Sequence, residues 1–252
     1  MMKNVVLSAL VSLLSLHASA QAQEQPGKTA PAGTLTATTA AVAITPTSTP
    51  LELARAAVAA QGGEKFRNLQ NMVLRGSVDL YAPNQVNSIP GGFAITTAGD
   101  KLRMDIDARP AFVFKQIYDG QQSYSSLPNI QLPPVSKFGL GALNKFDQSG
   151  YAVSAIPDKK KQRGFRIVDP EGNTTDFYLD PTTARVMSFL IYYSGFTFGT
   201  ENSKFKEIEG VLVPFNFSQR LDTPQGAFFA DFKVKDAKLN QTLGEDAFAI
   251  PH

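Results

Sequence analysis

The side chains best suited to catalysis are few in this sequence and badly placed for it. Its two histidines are His17, inside an N-terminal apolar run, and His252, the last residue. A Ser-His-Asp or Cys-His relay needs a histidine held by the fold, so neither is expected, nor is a histidine metal site. Cysteine is absent, which removes disulfides, thiolate metal centres and a cysteine-linked lipid anchor. Carboxylates do come in pairs: Asp105 with Asp107 and Glu207 with Glu209, each two residues apart and so on one strand face. Acid–base chemistry needs two carboxylates in unlike environments, and nothing around either pair points to such burial. Solvated strand faces explain both, and no enzyme is expected; a Glu/Asp hydrolase is the one form these residues would allow. The glycines form no phosphate-binding pattern, and Gly62-Gly63, Asp119-Gly120 and Glu209-Gly210 read as caps or turns.

Lys and Arg number 24 against 22 Asp and Glu, a balance that carries no electrostatic footprint for nucleic acid. Positive charge clusters once, in Lys159-Lys160-Lys161-Gln162-Arg163, either a solvated hairpin tip or a contact for an anionic membrane or partner. The 18 Phe beside 7 Tyr and no Trp favour a core or an apolar cavity over a sugar or base platform.

Lys3, the apolar run from Val5 to Leu16 and Ala18-Ser19-Ala20 have the form of a secretory signal cleaved after Ala20. The run is shorter than the roughly 20 residues that span a bilayer, so a soluble, periplasmic protein is expected. From Gln21 to Thr49 the chain is mainly Ala, Thr, Pro and Gln, too poor in large apolar groups to offset the entropy of ordering, and reads as a disordered leader. The folded domain is placed at 50–252.

Thr49-Pro50-Leu51-Glu52 is a capping box that starts a helix running to about Ala60. Alternating strands follow. Met72, Leu74, Gly76, Val78 and Leu80 share one face of the first, and Leu102, Met104 and Ile106 one face of a later one. Between Leu127 and Gly150 the rhythm breaks: Val135, Phe138, Ala142, Leu143 and Phe146 have helical spacing, weakened by Gly139 and Gly141. That segment is a lid or an ordinary insertion. Thr174 to Tyr193 is a hairpin through Asp180-Pro181-Thr182-Thr183, whose second strand carries Val186, Leu190 and Tyr192 on one face and Met187, Phe189 and Ile191 on the other. Further strands fit from Ser203, Val211 and Ala227, with the last burying Phe228, Phe232 and Val234, and the tail from Thr242 to Phe248 forms a helical turn. About ten or eleven strands with few helices give one α+β domain built on a strongly curved antiparallel sheet.

Five stretches, GGEKFRNLQNMVLRGSV, GDKLRMDID, IYDGQQSY, DFYLDPTTARV and EIEGVLVPFNF, in this order resemble the outer-membrane lipoprotein carrier family, LolA/LolB-like, over Leu51 to Ile250. The resemblance implies an unclosed β-barrel whose concave face is covered by helices and holds acyl chains. It implies a monomeric carrier of lipid or acylated lipoprotein with a membrane-anchored donor or acceptor, and no cofactor or nucleic acid. The acyl-contact candidates are Met72, Leu74, Leu102, Met104, Phe112, Phe114, Phe138, Leu143, Phe177, Phe189 and Ile191. Arg103 matches the arginine that helps hold the helices closed. The family's Trp after the Asp-Gly turn is replaced at best by Tyr124. The rival reading is an envelope sensor or assembly protein that uses the same fold to bind a protein partner.

Overall fold

The computed structural model describes residues 44–126, 133–134, 137–223 and 226–251. The proposed signal, most of the leader and the start of the insertion at Val135 lie outside the described residues. Helix α1 (Pro50–Gln61) begins at the capping box. The Glu52 N–H donates to Thr49 Oγ1 at 3.3 Å and the Thr49 N–H to Glu52 Oε2 at 2.6 Å, so two donors at the helix start are satisfied reciprocally. A single turn, α2 (Glu64–Arg67), follows.

Five strands come next: β1 (Met72–Tyr81), β2 (Ile89–Ala98), β3 (Lys101–Ala108), β4 (Phe112–Tyr118) and β5 (Ser123–Ser125). After α3 (Leu140–Lys145) the chain adds β6 (Ala152–Ala155), β7 (Arg163–Val168), β8 (Thr174–Leu179), β9 (Val186–Tyr193), β10 (Phe196–Ile208), β11 (Val211–Thr223) and β12 (Gly226–Leu239). All twelve form one antiparallel sheet in the order β5-β4-β3-β2-β1-β12-β11-β10-β9-β8-β7-β6. The first and last strands pair at its centre, and the short β5 and β6 are its edges. Twelve strands exceed the ten or eleven expected. β10 also starts at Phe196 rather than Ser203, because Ser194 and Gly195, with φ of 50° and 79°, make a tight hairpin turn directly after β9.

One face of this sheet, here the inner face, carries the core. Alternation places Met72, Leu74, Val78 and Leu80 there from β1, and Phe228, Phe232 and Val234 from β12. In β9 alternation fails. Leu179 pairs with Val186 and Tyr178 with Ser188, so Met187 is bulged out and Val186, Phe189 and Ile191 all come to the inner face, not to opposite ones. Gly76 leaves a gap in the β1 face. A Cβ there would stand 2.9 Å from the Phe93 ring, which lies across β1 and meets Phe232 edge-on at 5.0 Å. Phe232 in turn stacks on Phe217 at 4.5 Å.

The sheet is strongly curled. Gly139, the residue before α3, donates its N–H to Thr175 on β8 at 3.2 Å, while Lys145 at the other end of α3 reaches Asp100 in the β2–β3 turn at 3.2 Å. In a flat sheet β8 and β2 would lie about 29 Å apart, at about 4.8 Å per strand. A helix of this length rises only about 9 Å. Both contacts are possible because the two halves of the sheet bend toward one another around α3. Curling also lets a sheet this wide bury one face against itself.

Candidate functional site: the apolar hollow and its latch

Inside the curl lies one continuous apolar cluster to which β1–β4 and β7–β12 contribute together with all three helices. Ten of the eleven acyl-contact candidates, Met72, Leu74, Leu102, Met104, Phe114, Phe138, Leu143, Phe177, Phe189 and Ile191, are at most 2% exposed within it. Phe112, partly buried, packs on its margin. The structure therefore brings these residues together. It also fills the hollow with them, beneath the covering helices.

The cover is light. α1 buries Leu53, Ala54, Ala56, Ala57 and Val58 and packs on β6, β7 and β11. Five of its twelve residues are alanine, so the helix presents little large apolar surface. The insertion contributes a helix shorter than the expected Val135 to Phe146, only Leu140–Lys145. Gly139 sits at φ 56° and ψ −136°, outside helical space, and ends the helix on its N-terminal side. Phe138, Leu140, Ala142, Leu143 and Phe146 nevertheless all point into the cluster, and Phe138 meets Tyr193 edge-on at 5.6 Å.

Two basic residues hold α3 in place. Arg67 of α2 binds both oxygens of Asp147 at 3.1 and 2.9 Å, donates to the Asn144 carbonyl at 3.2 Å, and lies over the Phe146 ring at 5.5 Å. Lys145 makes the contact to Asp100. Arg103, for which the resemblance implies a closure role, stands elsewhere. Arg103 lies on the outer face of β3, where it donates to Asp105 at 2.7 Å and to the Ala247 carbonyl of the C-terminal turns at 3.4 Å. Its contacts are with its own strand and the tail, and Arg67 makes the contacts that hold a helix. Sequence reasoning missed Arg67 because an arginine in a four-residue helix has no periodicity to mark it.

The outer face has a different chemistry. Asp105 faces Arg103 and Lys115, and Asp107 is held to about pKa 2 by hydrogen bonds from the Arg109 side chain and backbone. Both members of this pair are ion-paired carboxylates. An open groove of about 590 Å³ on this side has Arg75, Asp105, Asp107, Lys115 and Lys235 around a lining that also includes Phe93, Ile106, Val113 and Phe114. The basic run is a hairpin tip: Lys160 and Lys161 have φ of 50° and 66°, and Lys159 bridges to Gln162. Across β7 to β9, Arg166 binds Asp176 in a fork, at 2.8 Å on one arm, beneath Tyr192, and burial pushes the Tyr178 and Tyr192 hydroxyls up. Among the described residues no group of three or more His, Asp or Glu side chains could hold a metal ion, and no helix is long and apolar enough to cross a membrane.

No family model matches the sequence, and no curated protein does. Solved structures do match the fold. The LolA superfamily protein NE2245 from Nitrosomonas europaea aligns with 81% of this chain and 98% of its own, at TM-score 0.52 and 11% identity. A DUF1329 family protein from Desulfovibrio piger aligns with 80% of this chain and 98% of its own, at TM-score 0.50 and 13% identity. A putative outer membrane lipoprotein-sorting protein domain from Vibrio parahaemolyticus reaches TM-score 0.49 at 14% identity, covering 79% and 96% of the two chains. The first two establish a LolA-like fold: an unclosed antiparallel sheet with few helices.

Proposed function

We propose that this protein is a periplasmic carrier that binds the acyl chains of a lipid or lipoprotein in the hollow between its curled sheet and α1 and α3. The observation that carries the reading is the inner face itself. It is apolar across most of its strands, and it is covered by an alanine-rich helix and a six-residue helix anchored through a few polar contacts. Displacing such a cover exposes a deep apolar surface, and a ligand that supplies apolar contacts in its place offsets that exposure and shifts the balance toward the open form. Delipidated protein is expected to take up a fluorescent fatty acid saturably. A folded sample that takes up none removes the proposal.

One observation favours a second reading, a protein partner on the outer face. Tyr192 and Phe229 are 44% and 40% exposed there, with Arg166 and Arg220 stacked over their rings at 5.9 and 5.5 Å. Arginine and aromatic side chains are the types enriched in protein interfaces. Crosslinking in cells separates the readings: a partner-binding protein traps one abundant species, a carrier many acylated ones.

A further inference from the structure

The hollow is apolar but not wholly so. Thr97 on β2 and Gln116 on β4, at 1% and 2% exposure, alternate with apolar neighbours on the inner face, and Asn144 on α3 is 6% exposed. Thr97 Oγ1, Gln116 Oε1 and Asn144 Oδ1 make no hydrogen bond. Thr175, on the same face, differs, because it accepts the Gly139 N–H. Gln61 on α1 and Gln219 on β11 are also buried without partners, but register and latch tie the first three together. Thr97 belongs to the row Met72–Thr97–Leu102–Tyr118, and Gln116 to the adjoining row Leu74–Ile95–Met104–Gln116. Asn144 adjoins Lys145, whose ammonium binds Asp100 in the turn that ends β2.

An unpaired polar atom in a packed interior is costly, and two in adjoining rows of the inner face with a third on the helix that covers it call for a function. We infer that they receive the neutral polar head of the cargo, a hydroxyl or amide next to the acyl chain, when α3 is displaced. This inference rests on the carrier reading and names the cargo class within it. Neutrality follows from the charges: the cation beside Asn144, Lys145, is already paired with Asp100 at 3.2 Å, and a carboxylate or phosphate head would have to compete with that partner. A hydroxyl or amide N–H can donate to the Gln116 and Asn144 oxygens, and Thr97 can donate to a carbonyl beside it.

The test is competition against a fluorescent acyl probe by two ligands of equal chain length, a monoacylglycerol and a fatty acid, on wild type, Gln116→Leu and Thr97→Val. Wild type is expected to bind the monoacylglycerol about tenfold tighter. Each substitution should weaken that ligand about fivefold, the worth of one hydrogen bond, while leaving the fatty acid unchanged. Each should also raise Tm, since it replaces an unpaired polar group by an apolar one of similar shape. If wild type takes up the probe but prefers neither ligand, or if the variants keep the preference, the inference is wrong while the carrier reading stands. If wild type takes up no probe, both fall.

Discussion

Lys145 Nζ lies 3.2 Å from Asp100 Oδ1 and joins the end of α3 to the β2–β3 turn, in the half of the sheet that does not contain the strand anchoring the start of α3. With the Arg67–Asp147 fork it forms a polar latch over an apolar hollow. A partly exposed ion pair of this kind contributes about 0.5–1 kcal/mol, enough to bias a closed form and little enough for a ligand to overcome.

Lys145→Ala should therefore leave Tm nearly unchanged and speed acyl-probe exchange by about two- to fivefold. Arg67→Ala removes a fork, a carbonyl contact and a ring contact together, and should do more to both. Stopped-flow exchange rates check this. In the swapped pair Lys145→Asp with Asp100→Lys, recovery of the slow rate would show that the two charges act on each other.

Gly139→Ala should loosen the cover. At φ 56° and ψ −136° an alanine is strained by about 1–3 kcal/mol, so the variant should have a lower Tm and faster probe release. Gly141, inside the helix, carries no such backbone penalty, so the two substitutions should differ in sign or size. Equal thermal melts of the two variants would contradict the assigned turn.

Much of this architecture is legible from alternation alone. The inner faces of β1, β3 and β12 as far as Val234 follow a period of two, and the capping box at Thr49 and Glu52 marks the start of α1. The misses have local physical causes. The bulge at Met187 shifts the phase of β9 by one residue, and a bulge has no sequence period. Gly139 ends a helix that spacing alone extends to Val135. The latch was not legible at all, because Lys145 and Asp100 meet only after the whole sheet has curled.

Lowering pH should weaken α1. The Glu52 carboxylate accepts the Thr49 N–H and hydroxyl, which hold its pKa below the ordinary value of 4.5. A depressed carboxylate contributes its stability in full above 4.5 and loses it as pH falls through the lower folded value. Probe exchange should accelerate across that acidic window in wild type and lose this step in Glu52→Gln. Thr49→Ala should lower Tm by about 2–4 °C at neutral pH.

Phe232→Ala separates structure from gating. Phe232 stacks on Phe217 and receives the edge of Phe93, so its loss should cost about 3–5 kcal/mol in denaturant unfolding. A cost below about 1 kcal/mol would mean that the curled sheet is not held by these rings.

The central claim is that the hollow opens to hold an acyl chain, and titration of delipidated protein with a fluorescent fatty acid, run beside Phe177→Asp and Arg67→Ala, tests it most directly. Saturable uptake by wild type, faster exchange in Arg67→Ala and loss of uptake in a still-folded Phe177→Asp, whose new carboxylate stands on the inner face, are the results expected. A folded wild-type protein that takes up no probe, or a Phe177→Asp variant that folds and binds like wild type, would contradict it.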